Sequence, residues 1–270
     1  RFRSTENDTR ALIHTPSLGC CGLVEKGTQV VVSPIRVTRK KNEDPDKPKC
    51  SFRADLAIVT EEAISFVVGV NPKLAETIVE RALVTGLIRN INLQSPSSYG
   101  REKTFLQSRF DFAGTDASGR EFILEVKNVP LADYVDAPKK ERKKAVAALS
   151  DKHPMKKIAY FPDGYRKSGQ QIVSPRALKH IQELEEIVTT TNKRAILCFV
   201  IQRPDANRFQ PSLIDPIYRE AVQKAWCSGV EVTTLQVSWN TTGTCTYLRN
   251  DLPVHLFDTE GPRQQWTTNE

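Results

Sequence analysis

Thirteen residues separate Asp111 from Glu125 in the stretch SRFDFAGTDASGREFILEVKNVPL, and Lys127 follows two positions later. Phe110 and Phe112 flank Asp111, and Phe122, Leu124 and Val126 recur at every second position, which is a strand signature. Gly114 to Gly119 between them is turn material, so the segment reads as a hairpin. Successive side chains of a strand point to opposite faces, which puts Glu125 and Lys127 on one face and Leu124 and Val126 on the other. Asp111 is expected on the face of Glu125. Two carboxylates can hold a divalent cation through hard oxygen ligands, and a lysine beside them can position a water or offset charge on a phosphate. That is a kit for metal-dependent phosphodiester hydrolysis. The same residues also suit an ordinary solvated face with a weak cross-strand ion pair.

The elements that must position these side chains are legible around them. Residues 1 to about 70 carry short apolar pieces broken by Gly, Pro and polar residues, which predicts a small β-rich module of barrel type. The charged, Pro-containing segment 39–49 reads as a loop. Asn71-Pro72 opens a helix whose stripe is Leu74, Ile78 and Ala82, and Gly86 ends it. Strands are expected near 88–94, over 103–113 with Asp111, and over 120–127 with Glu125 and Lys127. Pro175 to Val188 reads as a second helix. The unbroken apolar run Ala195 to Ile201 reads as a central strand buried on both faces. Asp215-Pro216 opens a third helix, and Val230 to Trp239 forms a last strand. The order α-β-β-β-α-β-α-β predicts a mixed sheet flanked by helices. Residues 132–159 interrupt it with a basic run, Lys139 to Lys144, read as a surface helix or flexible insertion.

The chain has a net charge of +7 and a pI near 9.1, which favours an anionic partner, nucleic acid first. No apolar run is long enough to span a bilayer, so no membrane partner is expected. The six cysteines show no Cys-x-x-Cys, and reduced thiols in an intracellular protein are expected; a zinc site on His14, Cys20, Cys21 and Cys50 is the alternative. The sequence opens at Arg1, which reads as trimming or as removal of an import leader.

Several ordered segments carry a family resemblance. Val68-Gly69-Val70-Asn71, Glu102-Lys103, Ser108 to Phe112, Glu125 to Val129, Phe161-Pro162-Asp163, Lys179-His180, Phe199 to Arg203 and Asp215-Pro216 resemble the sugar fermentation stimulation protein A family. The resemblance implies an α/β (α+β) protein: an oligonucleotide-binding-type barrel over 1–70 and a PD-(D/E)xK nuclease-like domain over 71–240. The latter carries the insertion at 132–159, and 241–270 is a C-terminal tail. It implies a DNA-binding protein and metal-dependent nuclease using Mg2+ or Mn2+. Asp111 and Glu125 would be the metal ligands together with the Val126 carbonyl, Lys127 the catalytic lysine and Glu102 an extra acid. Arg109, Arg176, Lys179, His180 and Arg203 become candidates for phosphate contact. Phe2, Phe52 and Phe66 are candidate stacking residues on the barrel, with core packing as the other use of each.

The sequence departs from the family pattern at Ser17 and Cys21, where Asn and Met are usual, at Ala177, where Gly is usual, and in the lengthened link 164–172. The alternative reading is a non-catalytic nucleic-acid-binding or scaffold subunit, and a homodimer or a larger nucleic-acid complex is left open. The expected compartment is cytoplasm or nucleoid for a bacterial chain, and plastid or mitochondrion for a eukaryotic one.

Overall fold

The computed structural model describes residues 2–3, 10–16, 18–35, 49–61, 63–88, 91–93, 98–147, 156–162 and 174–257. Most of the charged loop at 39–49, the middle of the 132–159 insertion and the link 164–172 lie outside these residues, as does the side chain of Phe2.

The N-terminal part is built of strands. A ribbon of β1 (Phe2–Arg3) and β2 (Arg10–Ala11) precedes β3 (Ile13–His14), β4 (Gln29–Pro34), β5 (Phe52–Glu61) and β6 (Ile64–Gly69). β4 and β6 both pair antiparallel with β5, and β3 runs parallel to it. A small core of Cys20, Ala54, Ala57 and Val70 fills this barrel-type module. None of the six cysteines is in a disulfide.

Helix α1 (Pro72–Val84) starts where the Asn71-Pro72 pair predicts. The Asn71 side chain accepts the Lys73 N–H at 3.1 Å and donates to Asp55 at 2.7 Å, so the cap also ties the helix back to β5. Then come β7 (Tyr99–Phe105), β8 (Ser108–Thr115), β9 (Glu121–Val129), β10 (Ala132–Asp133), α2 (Lys139–Ala147) and β11 (Lys157–Phe161). The chain continues through α3 (Pro175–Thr190), β12 (Arg194–Ile201), β13 (Ala206–Pro211), α4 (Pro216–Cys227), β14 (Glu231–Trp239) and β15 (Cys245–Arg249).

The large mixed sheet has the order β3-β5-β6-β14-β12-β9-β8-β7, with β4 on β5 and β15 on β14; β10, β11 and β13 form a second, smaller sheet. Strand β12 is parallel to both β9 and β14 and is buried along its whole length. Its odd residues Leu197, Phe199 and Ile201 pack under α3 and α4 with Ile181, Leu184 and Val222. Its even residues Ile196, Cys198 and Val200 pack under α1 with Val79 and Leu83. Each large side chain buried this way contributes about 1.5–3 kcal/mol. The result is a helix–sheet–helix sandwich with the fork described below at its rim.

Four expectations change. The strand read over 103–113 is a hairpin, because Leu106 takes a left-handed φ of 51° and reverses the chain between β7 and β8. No Gly or Asn marks that turn. In place of a strand near 88–94, the described residues show an isolated bridge from Leu93 to Asp116. The segment read as a tail from 241 carries β15, which pairs with β14 in the sheet, and β10 and β11 shorten the insertion at both ends.

The N-terminal module is not a separate bead. Val67 pairs with Trp239, and the Asn128 side chain donates to the Gly69 carbonyl at 3.3 Å. Gln202 joins Asn128 to Trp239 through hydrogen bonds of 2.8 and 2.6 Å. Beside this seam Arg203, 1% exposed, pairs with Glu61 of β5 at 2.8 Å and with Asp205 at 2.6 Å. Lys157 bonds the same two carboxylates, and both cations lie about the Phe66 ring at 5.0 Å.

Candidate active site

The site lies where two paired strands part. β8 and β9 pair from Thr115 opposite Glu121 to Phe112 opposite Leu124, and the ladder ends one step short of Asp111 and Glu125. On its other edge β9 stays paired to β12 as far as Val129. The Val126 N–H, left without a β8 carbonyl, donates to Asp111 Oδ2 at 2.8 Å. In an extended strand the N–H and C=O of one residue project from the same edge, so the Val126 carbonyl also faces the fork.

Glu125 and Lys127 share the face of β9 that carries Ile123 and Val129, under α3. Both are buried, at 4% and 8% exposure. The Lys127 ammonium donates to Glu125 Oε1 at 2.5 Å. The same oxygen meets Nδ1 of His180, which α3 lowers onto the sheet beside the Phe110 ring, 5.6 Å between centroids. Glu125 Oε2 is buried and has no hydrogen-bond partner among the described residues. Burial works to raise the Glu125 carboxyl, but Lys127 and His180 outweigh it and hold the group below the ordinary carboxylate value.

Asp111 approaches along the strand edge. Its neighbours pack in different layers, Phe110 in the α3 layer and Phe112 in the α1 layer, and its carboxylate accepts the Val126 N–H between them. Its charge interacts with that of Glu125 and with that of Glu76 on α1. The two carboxylates meet across the Val126 backbone. Burial first, then the Glu125 charge, push the Asp111 carboxyl up to about 7, against the Val126 N–H bond that lowers it.

Glu76 is the acid that the sequence reading missed. It is mostly buried, bonded to Lys73 at 2.8 Å and to Arg101 at 3.2 Å, and its charge reaches Asp111. Its only mark in the sequence is the i, i+3 pair with Lys73 just inside the Asn-Pro helix start. Glu102, expected near the centre, stands at the exposed rim with a φ of 52°, 3.6 Å from Lys73 and 3.3 Å from Arg109.

The expected phosphate contacts separate into two groups. Arg109, Arg176 and Lys179 are exposed on the α3 and β8 side of the fork, and the Lys179 ammonium reaches the Gln107 carbonyl of the hairpin turn at 3.3 Å. His180 and Arg203 are buried, and this corrects their placement. His180 is spent on Glu125, and both ends of the Arg203 guanidinium are held by Glu61 and Asp205. Phe66, a stacking candidate, is covered by the Arg203 and Lys157 cations.

Among the described residues no group of three or more His, Cys, Asp and Glu side chains stands ready-made around an ion. The fork nevertheless fits a hard divalent cation. It brings together a bare buried carboxylate oxygen, a second carboxylate whose ionisation is suppressed by burial and by the Glu125 charge, and a strand carbonyl freed from its ladder. Also among the described residues, no helix is long and apolar enough to cross a membrane.

With this geometry in place, the chain can be compared with known proteins. Residues 73–243 match the family model described as the sugar fermentation stimulation protein RE domain. A sugar fermentation stimulation protein homolog of Brucella ovis is 32% identical over 191 residues, covering 69% of this chain and 65% of that protein. The chain thus spans about two thirds of that relative's length. The homolog of Rhizobium meliloti is 29% identical over 211 residues, covering 76% of this chain and 71% of the relative. The solved structure of Pyrococcus furiosus SfsA in complex with Ca2+ superposes with a TM-score of 0.57 at 18% identity, covering 83% of this chain and 76% of that one. That likeness shows a shared fold. The family model covers the helix, the fork and the strands that build it, and the chain belongs to the sugar fermentation stimulation protein family.

Proposed function

We propose that this protein binds nucleic acid, DNA first, and hydrolyses its phosphodiester bonds with Mg2+ or Mn2+. The observation that carries the reading is the fork itself. Parting of β8 from β9 exposes the Val126 backbone edge between two carboxylates, and a buried lysine stands beside one of them. Asp111, Glu125 and the Val126 carbonyl would hold the cation, which when bound lowers the pKa of a water and offsets charge on the scissile phosphate. The chain's own residues do the rest. Glu125 stays ionised and presents Oε2, and the Lys127 side chain, held on Oε1, would stand beside the reacting oxygens. Arg109, Arg176 and Lys179 at the rim are exposed cations that can meet the flanking phosphates, in keeping with the +7 charge. The Ca2+ in the name of the Pyrococcus structure accords with an oxygen-lined cation site in this fold.

The second reading, a non-catalytic binding or scaffold subunit, draws on the pairing of Lys127 and His180 with Glu125 Oε1, which stabilises the carboxylate without any cation. Cleavage separates the two. Labelled single- and double-stranded DNA and RNA, incubated with Mg2+ or Mn2+ and with the Asp111→Ala protein as control, should be cut by wild type alone. Binding without cutting across metals and substrates would favour the scaffold.

A further inference from the structure

The two oxygens of Glu125 are treated differently, and His180 is what makes them so. Oε1 carries both polar partners, the Lys127 ammonium at 2.5 Å and the His180 imidazole, while Oε2 has none among the described residues. An ionised carboxylate only accepts, so the His180 Nδ1 must be the protonated nitrogen and donates to it. The ring is held against rotation. His180 is 4% exposed, its neighbours Ala177, Ile181 and Leu184 anchor α3 in the core, and Phe110 packs on the imidazole. Lys179 fastens the same helical turn to the β7–β8 turn through the Gln107 carbonyl.

The geometry points to His180 as the positioning residue for the cation ligand Glu125. It fixes the carboxylate with Oε2 towards the fork, and it supplies Oε1 with a partner that is not Lys127. The second effect matters as much as the first. If Lys127 were the sole partner of a buried carboxylate, moving its ammonium to a phosphate would leave Oε1 unsatisfied, and an orphaned buried acceptor is expensive. With His180 in place, Lys127 can leave Oε1 for the phosphate while the carboxylate keeps its orientation. Histidine is thereby moved from the phosphate-contact set to the support of the ligand, the arrangement by which outer-sphere partners tune a metal site.

This inference rests on reading Glu125 as a cation ligand, and the test separates the two. Mn2+ binding to the full chain is measured by calorimetry and by electron paramagnetic resonance, without substrate, for wild type, His180→Ala, His180→Asn and His180→Gln. The Asn amide nitrogen falls near the position of Nδ1, whereas the Gln amide reaches to that of Nε2. Melting curves without metal confirm that each variant is folded. The Ala and Gln proteins should bind Mn2+ about 10–100-fold more weakly, and the Asn protein should recover to within about threefold of wild type. Equal affinity for wild type and Ala, or equal loss for Asn and Gln, would overturn the role of His180 while leaving the cation site standing. Absence of Mn2+ binding by wild type would overturn both.

Discussion

Glu125 and His180, 55 positions apart in the chain, meet through a single carboxylate oxygen that Lys127 also uses. One strand supplies the Glu and the Lys, and a helix entering from another part of the sequence supplies the third group. Replacing the lysine and replacing the glutamate should therefore have different consequences. Lys127→Ala should lower cleavage by about 10²–10³-fold, as loss of a preorganised donor at a reacting centre does. It should change oligonucleotide affinity little, because Lys127 is buried and is one charge among many. Glu125→Ala should lose cleavage and cation binding together. A Lys127→Ala protein that cuts as fast as wild type would show that the lysine has been misassigned.

Asp111 gives the site a pH signature. Its carboxyl rises from 3.8 to about 7 on folding, so the folded protein holds a proton between those values that the unfolded chain releases. Ionisation of Asp111 consequently costs stability as pH rises through that window, and the cost is complete above pH 7. Asp111→Asn should match wild type near pH 4 and become progressively more stable than it up to about pH 8, in chelator. Added Mn2+ should shrink the difference by stabilising wild type alone. Thermal melts across the pH range check this, and a difference that does not vary with pH would contradict it.

Much of the frame could be read from residue order. The Asn71-Pro72 and Asp215-Pro216 starts, the run Ala195 to Ile201 and the alternation around Glu125 each depend on local chemistry, and each element appears where that chemistry places it. The site was legible as Asp111, Glu125 and Lys127, the last two because residues on one strand carry their relative direction with them. The approach of Asp111 was not, because it depends on where β8 parts from β9. The pairing of His180 with Glu125 and the presence of Glu76 were not, because only packing of α3 and α1 brings them in. The β7–β8 turn was missed for a related reason. Leu106 has no turn propensity of its own and takes its left-handed φ from the pairing of the strands on either side.

The cluster around Arg203 should be a principal stabilising point of the molecule. Arg203→Leu leaves Glu61 and Asp205 with Lys157 as the remaining cation of the cluster. Breaking one partner of a buried ion network costs about 3–5 kcal/mol, which urea denaturation would register. Cleavage per folded molecule should survive, since Arg203 is not placed at the fork.

Gly114 is a second sensitive point. A methyl group built there would come within 2.4 Å of the Ser98 carbonyl and 2.9 Å of the Tyr99 Cα, both backbone atoms. Gly114→Ala should cost about 1–3 kcal/mol by forcing β7 and β8 apart. A melt unchanged from wild type would mean that the hairpin shifts freely.

The exposed cations at the rim predict strong salt dependence. Affinity for a DNA oligonucleotide should fall at least about tenfold between about 50 and 200 mM salt. Combining Arg109→Ala, Arg176→Ala and Lys179→Ala should flatten that dependence, whereas Arg203→Leu should not. Fluorescence anisotropy titrations at several salt concentrations measure both.

The seam between the N-terminal strands and the sheet also sets an order of events during synthesis. Glu61 finds Arg203 only 142 positions later, and Val67 finds its strand partner at Trp239. Until those residues leave the ribosome, β6 presents its outer edge, and Glu61 lacks the Arg203 guanidinium. Contacts between such distant positions form late and slowly. The strands over residues 52–69 are thus made well before they are locked to the sheet, and a ribosome stalled before residue 239 would hold out the unpaired outer edge of β6, an aggregation-prone surface.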